Sequence, residues 1–239
     1  MIPEIIHYCW FGGKPLPKLA LKCIASWRKF FPDYEIKEWN ESNFDVNMVP
    51  FTAEAYAAKK YAFVSDFARF WILHREGGVY FDTDVEVIRS MDDILQKGAF
   101  LGMEARVHEQ QSRLCVNPGL GCACGAGNEV WACVLEKYRG FHHFCPEEQE
   151  TVCTITSDVL ERLGASLNGG FARCQDVLIY PSEYFCPRAK MGDPIYITEN
   201  TRSIHHFDGT WLPAHVRVRV KLLSALPPWL QQFIRKIKR

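Results

Sequence analysis

Short apolar runs alternate with longer segments of helical periodicity along the first hundred residues. Residues 4–10 form an apolar run that predicts a buried strand, and Gly12-Gly13 predicts a tight turn after it. Apolar side chains at near-helical spacing predict a helix over residues 16–31, which Pro32 ends before a second predicted strand at residues 34–39. This order of strand, helix and strand is typical of an α/β unit.

A pair of acidic residues follows the next predicted strand. Helical periodicity over residues 63–76 ends at Gly77-Gly78, and the apolar residues 79–81 then predict a strand. Asp82 and Asp84 come directly after this strand, and residues 85–88 resume an alternating pattern. Since α/β folds place ligands at the carboxyl ends of their strands, the two carboxylates lie where a binding site is expected.

The second half of the chain shows weaker periodicity. Strands are predicted at residues 100–103 and 177–180, and helices at residues 129–138 and 157–163. Neither an internal repeat nor a linker rich in Pro, Gly and Ser divides the sequence. With 239 residues, 48% of them hydrophobic, the chain is predicted to form one α/β domain over residues 1–215, followed by a tail at residues 216–239.

The overall charge and the cysteines narrow the functional classes. The formal net charge is +0, so the chain lacks the basic excess typical of proteins that bind nucleic acid, and we predict no nucleic-acid partner. Ten cysteines are scattered along the sequence with no signal peptide or long apolar run before them, which favours a reduced, cytoplasmic protein. Cys122 and Cys124 are predicted to be buried thiols, since no second Cys or His pair completes a zinc site.

Asp82 and Asp84 have the chemistry of a cation site. Two carboxylates one residue apart can share one divalent metal ion, and that ion can neutralise a diphosphate that departs as an anion. An isolated Asp-x-Asp sequence also arises by chance in many loops. The segments around the pair therefore decide how it is interpreted.

Three of these segments resemble a known family. Residues 7–13, 65–69 and 77–84 are similar to glycosyltransferase family 32 and to the sugar-binding region with a DXD motif that this family shares with the glucosylating bacterial toxins. The similarity is dense over the first hundred residues and thinner in residues 179–185 and 205–211. It implies a GT-A fold, with a Rossmann-like nucleotide half and a more irregular acceptor half, and sugar transfer with retention of configuration.

The same resemblance implies a nucleotide site at the end of the first strand. Trp10 would stack on the base, and the backbone around Cys9 and Phe11 would read the base edge. Gly12-Gly13 let a backbone approach a ligand closely, which favours this role over that of a core tryptophan. The donor is expected to be a UDP-sugar, with a GDP-sugar as the alternative.

The resemblance also assigns residues to the sugar and the metal ion. Asp66 and Arg69 lie three positions apart on one helical face, where Asp66 would bind donor-sugar hydroxyls and Arg69 the sugar or diphosphate; a surface ion pair is the alternative. Asp84 is expected to bind the metal ion directly, and Asp82 to contact ribose, sugar or a metal-bound water. Asp82, Asp84 and Arg69 are thus the predicted catalytic residues, with Mn²⁺ or Mg²⁺ as the cofactor.

Two later segments extend the predicted site. By the same resemblance, His206 or Thr210 would complete the metal coordination, and Trp211 would close over the donor. The adjacent His205 and His206 leave the register of the ligand open. Asn117 begins a segment that is predicted either to lie near the donor sugar or to form a plain turn.

Two other functions fit parts of the sequence. Residues 79–87 also match the signature of haloacid-dehalogenase-like phosphatases, in which Asp82 would be a nucleophile. Those enzymes need a later acidic pair, and no adjacent pair of aspartates follows residue 100. A nucleotide- or carbohydrate-binding protein without turnover is the second alternative. Catalysis is favoured over it because Trp10, both aspartates and Arg69 are all present.

The tail bears on the acceptor and on location. Residues 216–239 hold seven basic residues and no acidic residue, with aliphatic and aromatic residues between them. This composition favours either peripheral contact with the inner face of the membrane or a docked terminal helix. We therefore expect a cytoplasmic, retaining hexosyl- or acetylhexosaminyltransferase that extends a glycan or a lipid-linked glycan, such as a precursor of bacterial capsule, exopolysaccharide or lipopolysaccharide.

Overall fold

A seven-stranded mixed sheet with helices on both faces forms the centre of the protein. The computed structural model describes residues 1–104, 114–145, 150–188, 193–209 and 226. The strands are β1 (Ile5–Cys9), β2 (Glu35–Trp39), β3 (Gly78–Tyr80), β4 (Val85–Val87), β5 (Phe100–Gly102), β6 (Cys122–Cys124), β7 (Ala172–Cys174), β8 (Val177–Tyr180) and β9 (Ser203–His205). The helices are α1 (Lys18–Phe30), α2 (Pro50–Ala57), α3 (Tyr61–Glu76), α4 (Asp92–Leu95), α5 (Glu129–Arg139), α6 (Val152–Arg162) and α7 (Ser182–Phe185).

The strand order of the large sheet brings several strand ends to one edge. The order is β2-β1-β3-β6-β5-β8-β7. β1 is parallel to β2 and β3, and β5 is parallel to β8. β6 is antiparallel to both β3 and β5, so β3 and β5 run in the same direction. The carboxyl ends of β1, β3, β5 and β8 therefore lie at the same edge, while β4 and β9 form a separate antiparallel pair.

Alternate residues of the central strands are buried on opposite faces of the large sheet. Val79 and Ala123 belong to the apolar cluster that contains Trp27 of α1. Tyr80 and Cys122 belong to the other cluster, which is formed largely by α2, α3, α5 and α6. Because both faces are covered, apolar residues are favoured at every position, and the strands read as continuous apolar runs in the sequence.

Most of the predicted elements are confirmed. β1, α1, β2, α3, β3, β5, α5 and β8 lie where the sequence predicts them, with ends shifted by no more than two residues. The helix predicted at residues 157–163 instead begins at Val152, because the side chain of Thr151 accepts a hydrogen bond from the Thr154 backbone and caps an earlier start. Residues 85–87 form the expected strand, β4, but it leaves the large sheet and pairs with β9.

Several short elements have no signal in the sequence. β6, β7 and β9 contain three residues each, which is too few for a periodic pattern to be visible. α2 has eight residues and begins at Pro50, a residue whose presence alone predicts only a turn or a helix start. These elements are fixed by their neighbours in the fold rather than by local sequence.

The tail predicted at residues 216–239 lies outside the described residues apart from Leu226, so a domain boundary at residue 215 stays a prediction. In the part of the chain that the structure describes, no helix is both long and apolar enough to cross a bilayer.

A buried histidine joins β1, β2 and the turn between α3 and β3. Trp39 of β2 donates a hydrogen bond from Nε1 to Nδ1 of His7 in β1, at 3.0 Å. His7 therefore carries its proton on Nε2, which donates to the carbonyl oxygen of Gly77 at 2.9 Å. Burial lowers the pKa of His7 to about 4. Gly78 has a φ of +100°, and a Cβ there would lie 3.0 Å from Nε2 of His7, so this position requires glycine.

We expect His7 to make the stability of the protein depend on pH. Its pKa falls from an ordinary value of 6.5 to about 4 on folding, so its contribution to stability is lost as pH falls from 6.5 towards 4. Between pH 8 and pH 5 this one group should remove about 2 kcal/mol of unfolding free energy. Urea unfolding of His7→Gln should therefore vary less with pH than that of the wild type by this amount. An equal pH dependence in the two proteins would contradict the assignment.

Candidate active site

The candidate site lies at the carboxyl edge of β1 and β3. Because these strands are parallel neighbours, Trp10 after β1 and Asp82 after β3 emerge at the same edge of the sheet. The backbone N–H of Trp10 donates to the carbonyl of Trp39 at 2.8 Å, and that of Phe81 donates to the carbonyl of His7 at 3.2 Å. These bonds continue the sheet beyond the formal strand ends and fix the backbone that leads into the site.

Asp82, Asp84 and His205 form a compact cluster of metal-ligand atoms. One oxygen or nitrogen atom from each residue lies within 4.8 Å of the other two. The cluster forms because β4 follows the aspartates directly and pairs with β9, which places Val85 opposite His205. Two carboxylates and an imidazole are a suitable set of ligands for a divalent cation. The predicted aspartates are therefore brought together with a third candidate ligand, His205, from near the end of the described chain.

Asp84 is held as a charged carboxylate. Its Oδ1 lies 3.1 Å from Nε2 of His205, and its Oδ2 accepts a hydrogen bond from the backbone of Asp208 at 2.8 Å. Burial raises the pKa of Asp84, but His205 and the hydrogen bonds outweigh burial and hold the pKa at about 2. Burial lowers the pKa of His205, but the charge of Asp84, the hydrogen bond to it and the charges of Asp82 and Glu104 together outweigh burial and raise the pKa. When His205 is protonated, the two side chains thus form a buried ion pair.

The two adjacent histidines point to different partners. His205 lies against Asp84, whereas Nε2 of His206 lies 2.8 Å from Oε2 of Glu86, which also accepts from Lys22 at 2.8 Å. Successive residues of an extended chain point to opposite sides, so only one of the two can face the aspartates. The ligand role of His206 stays a prediction that this arrangement does not favour. The other predicted C-terminal residues, Thr210 and Trp211, lie outside the described residues.

Arg69 is a buried partner of two carboxylates rather than part of a surface ion pair. Its side chain is 3% exposed. The Nη2 atom lies 2.8 Å from Oδ1 of Asp66 and 3.1 Å from Oδ1 of Asp82. The guanidinium also lies over the ring of Tyr80, whose hydroxyl donates to Oδ1 of Asp82 at 3.0 Å. The structure therefore brings Asp66, Arg69 and Asp82 together, and adds Tyr80, which no pattern in the sequence singles out.

Asp66 has a raised pKa. Burial raises its pKa to about 7, against the opposing effect of Arg69 and with the support of Asp82. A carboxyl group that titrates near neutral pH can either donate or accept a hydrogen bond. This property suits the predicted contact with sugar hydroxyls, which also donate and accept.

The residues at the end of β1 that are predicted to bind the nucleotide differ in exposure. Cys9 and Phe11 are buried, and Phe11 packs edge-on against Phe44, so only their backbones are placed to meet a ligand. Trp10 is partly exposed, and its indole N–H donates to the carbonyl of Lys14. Gly12 has a φ of +92°, and a Cβ there would lie 2.3 Å from the ring of Tyr61. The predicted roles of Cys9, Trp10 and Phe11 remain predictions.

The Asn117 segment is both a turn and a wall of the site. The side chain of Asn117 accepts a hydrogen bond from the backbone of Gly119 at 2.7 Å, and the carbonyl of Gly119 accepts from the backbone of Asp82 at 3.2 Å. A Cβ at Gly119 would lie only 2.0 Å from Oδ2 of Asp82. The glycine thus allows the turn to lie directly against the first aspartate.

Gly119→Ala should disturb the metal site selectively. The backbone of Gly119 is not in the left-handed region, so the main cost of the new methyl group is its clash with the Asp82 carboxylate. We expect calorimetric titration with Mn²⁺ to show at least about tenfold weaker binding, corresponding to about 1.4 kcal/mol. Gly170→Ala is the matched control, because a Cβ there meets its nearest atom at 3.4 Å. If Gly119→Ala bound Mn²⁺ as tightly as the wild type, the close approach of residue 119 to the Asp82 carboxylate would not matter for metal binding.

Arg188 supports the site from a position that no sequence motif indicates. Arg188 donates a hydrogen bond from Nε to the carbonyl of His205 at 3.1 Å, and a second from Nη2 to the carbonyl of His206. It thereby fixes the end of β9, although it is more than fifteen residues away in the sequence. Only the tertiary arrangement links the two segments.

Comparisons with known proteins agree with this geometry. Residues 17–101 match the family model described as the glycosyltransferase sugar-binding region containing a DXD motif. An uncharacterized glycosyltransferase, L373, of Acanthamoeba polyphaga mimivirus is 33% identical over 110 residues, which cover 42% of each protein. Inositol phosphoceramide mannosyltransferase 1 of Schizosaccharomyces pombe is 29% identical over 111 residues, which cover 42% of this chain and 33% of that protein. The chain thus spans less than half the length of these curated relatives.

The fold is shared with a solved glycosyltransferase structure. The PaToxG glycosyltransferase superimposes with a TM-score of 0.50 and 19% sequence identity, over 67% of this chain and 69% of that one. The predicted GT-A fold and the predicted family resemblance are confirmed. The family match includes Asp66, Arg69, Asp82 and Asp84, whereas Trp10 and His205 lie outside it. The part of the chain that is similar to the glycosyltransferase sugar-binding region containing the DXD motif is therefore residues 17–101, which carry four of the predicted site residues.

Proposed function

We propose that this protein is a metal-dependent glycosyltransferase that moves a hexosyl or acetylhexosaminyl group from a nucleotide sugar to a glycan. The observation that carries the proposal is the convergence of Asp82 and Asp84, from the matched DXD region, with His205 of β9 at the carboxyl edge of the sheet. Arg69 and Asp66 lie directly beside this cluster. Such a combination of a cation site and hydroxyl-binding carboxylates suits a sugar diphosphate.

The ligand set favours Mn²⁺ over Mg²⁺ as the cofactor. Carboxylate oxygens suit both ions, but an imidazole nitrogen from His205 is better tolerated by a transition-metal ion. When bound, the cation supplies positive charge that stabilises the departing diphosphate. Asp84 would bind the metal ion directly. Asp82 would bind the metal ion, a water molecule on the metal ion, or the ribose or sugar of the donor. To bind a cation, His205 must release the proton that it shares with Asp84.

The donor is proposed to lie across the edge of the sheet from Trp10 to Asp66. Trp10 would stack on the base, with the backbone around Cys9 and Phe11 at the base edge. Asp66 would bind sugar hydroxyls. Arg69 already contacts two carboxylates, so it would position Asp66 and Asp82 in addition to its predicted contact with the sugar or diphosphate. A UDP-sugar remains the favoured donor, with a GDP-sugar as the alternative.

Retention of configuration is part of the proposal. No side chain of the described site is an evident covalent nucleophile, because Asp82 is engaged by Arg69 and Tyr80 and lies against Gly119. We infer a substitution on one face of the sugar, in which the bond from the anomeric carbon to the diphosphate breaks as the acceptor oxygen forms its bond. The acceptor proton passes to the departing diphosphate oxygen. A loop that carries Trp211 would close over the donor.

The acceptor is proposed to be a glycan or a lipid-linked glycan. The name of the Schizosaccharomyces pombe relative, a mannosyltransferase of inositol phosphoceramide, supports transfer of a hexosyl group to a lipid-bearing acceptor. The basic tail would then serve peripheral contact with the inner face of the membrane. Synthesis of a bacterial capsule, exopolysaccharide or lipopolysaccharide precursor is the context that we propose.

A thermal-shift screen tests the proposal directly. UDP-glucose, UDP-galactose, UDP-N-acetylglucosamine and GDP-mannose would each be added with and without Mn²⁺. A ligand that binds only the folded protein at 100 times its Kd stabilises it by about 2.7 kcal/mol. We expect a shift for at least one nucleotide sugar that requires Mn²⁺. No shift with any of them, together with hydrolysis of p-nitrophenyl phosphate, would favour a phosphatase that uses Asp82. Binding without donor hydrolysis or transfer would favour a non-catalytic binding protein.

Trp10→Ala should weaken nucleotide binding. Loss of a stack between a base and an aromatic ring costs about 1–3 kcal/mol, or about 5- to 150-fold in Kd. Calorimetric titration with the free nucleoside diphosphate and Mn²⁺ measures the effect. Phe171→Ala is the control, because Phe171 is 62% exposed and lies beside β7 at the far side of the sheet. Unchanged nucleotide affinity in Trp10→Ala would remove the base stack and leave Trp10 a packing role against the adjacent apolar cluster.

A further inference from the structure

We propose that Glu104 is a further substrate-binding residue, whose carboxylate accepts a hydrogen bond from a hydroxyl of the donor's sugar. This inference rests on the proposed function. Glu104 lies outside the matched sequence region and outside the three segments that resemble the family. Its position, its fixed orientation and its lack of a cationic partner in the described structure carry the argument.

The topology places Glu104 at the same edge of the sheet as the metal cluster. β3 and β5 run in the same direction, because β6 lies between them and is antiparallel to both. Asp82 stands two residues beyond β3, and Glu104 stands two residues beyond β5. Two strand spacings separate β3 from β5, which corresponds to about 10 Å.

A chain of hydrogen bonds connects Glu104 to the first aspartate. Oε1 of Glu104 accepts from Nδ2 of Asn117 at 2.8 Å. Oδ1 of Asn117 accepts from the backbone of Gly119 at 2.7 Å, so the orientation of the amide is determined. The carbonyl of Gly119 in turn accepts from the backbone of Asp82 at 3.2 Å. The turn that lies against Asp82 therefore also fixes the orientation of the Glu104 carboxylate. This shared contact favours a role at the donor site over a role at a remote subsite.

The carboxylate of Glu104 is only partly satisfied. Besides Asn117, the thiol of Cys153 lies 3.7 Å from Oε1. Among residues 1–104, 114–145, 150–188 and 193–209, no Lys or Arg forms an ion pair with Glu104, and no donor meets Oε2. Glu104 is of intermediate exposure, so its second oxygen is accessible and can accept a further hydrogen bond from water or from a ligand. A sugar hydroxyl is a donor of the right kind, and a carboxylate binds it more strongly than a neutral oxygen does.

The test compares the nucleotide sugar with its own nucleoside diphosphate. Of UDP-glucose, UDP-galactose, UDP-N-acetylglucosamine and GDP-mannose, the one that binds the wild type most tightly serves as the probe, always with Mn²⁺. In Glu104→Ala we expect its Kd to rise about 10- to 100-fold, while the Kd of the nucleoside diphosphate stays unchanged. Glu104→Gln keeps an acceptor oxygen for Asn117 and should lose less. Glu136→Gln, at a side chain that is 73% exposed, is the matched control.

Each other outcome overturns the inference. Equal affinities in the wild type and in both Glu104 variants would remove the sugar contact. A parallel loss for the nucleoside diphosphate or for Mn²⁺ alone would show that Glu104 only supports the metal cluster. Should Glu104→Ala fail to fold, the near-isosteric Glu104→Gln decides between these results. The proposed function fails separately, namely if the wild type binds none of the four nucleotide sugars.

Discussion

Asp84→Asn should lower metal-dependent turnover of the donor by about 100- to 1,000-fold while the fold survives. An amide is close in shape to a carboxylate but lacks the charge that holds a cation, and a bound metal ion contributes several kcal/mol to stabilisation of the leaving group. The lowered pKa of Asp84, about 2, also indicates that the carboxylate stabilises the fold by about 2 kcal/mol, so some loss of stability is expected. Turnover should therefore be measured well below the unfolding transition, as release of nucleoside diphosphate across a series of Mn²⁺ concentrations.

The same chemical change at a surface site provides the control for Asp84→Asn. Asp93 is 53% exposed and forms an ion pair with Arg202, away from the metal cluster. Asp93→Asn should keep wild-type turnover, because exposed ion pairs contribute little and the cluster is untouched. Turnover should be compared at Mn²⁺ concentrations that saturate neither protein. If Asp84→Asn then turns over the donor at a near-normal rate, Asp84 does not bind a metal ion that the reaction needs.

Arg69→Met should destabilise the protein by about 3–5 kcal/mol. The guanidinium is 3% exposed and compensates both Asp66 and Asp82, so its removal leaves two carboxylates without their cation in a poorly solvated position. The penalty should grow with pH. The pKa of Asp66 is already raised to about 7 in the folded protein, and loss of Arg69 would raise it further, so stability is retained at low pH and lost as pH rises. Urea unfolding at pH 5 and pH 8 measures both effects.

A second substitution separates the charge effect from the loss of packing. Asp66→Asn removes one of the two uncompensated charges, so the double variant Asp66→Asn/Arg69→Met should recover part of the stability at pH 8. Arg75→Met is the control, since Arg75 is an exposed residue of the last turn of α3 and lies over Trp71. A cost below about 1 kcal/mol for Arg69→Met would mean that the two carboxylates are compensated by other groups.

The sequence predicted the nucleotide half of the fold because its elements are local. Apolar runs bounded by glycine predict β1 and β3, and the helical spacing of aromatic residues predicts α3. Asp66, Arg69, Asp82 and Asp84 could be selected for the same reason, since each lies within one helical turn or one strand end of its predicted partner. Chemistry that depends on neighbouring positions is visible in a single sequence.

The remainder of the site depends on contacts that no local pattern reveals. His205 reaches Asp84 through the pairing of two three-residue strands, and a shift of one residue would present His206 instead. Glu104 reaches the site through the side chain of Asn117, thirteen residues further along the chain. Their roles follow from register and from strand order, which only the folded structure specifies.

The pairing of β4 with β9 has a consequence for the order in which the protein forms. All the strands that precede residue 181 can complete the seven-stranded sheet before the last ligand of the cluster has any partner. The contact between Asp84 and Asp208 closes a loop of 124 residues, so it carries the entropic cost of a late, non-local step. During synthesis the catalytic edge would therefore mature last, and a chain cut short before Ser203 would keep its sheet and lack a complete cation site. A chain that lacks β9 should therefore bind a metal ion more weakly than the full chain, so metal affinity would distinguish truncated from full-length protein.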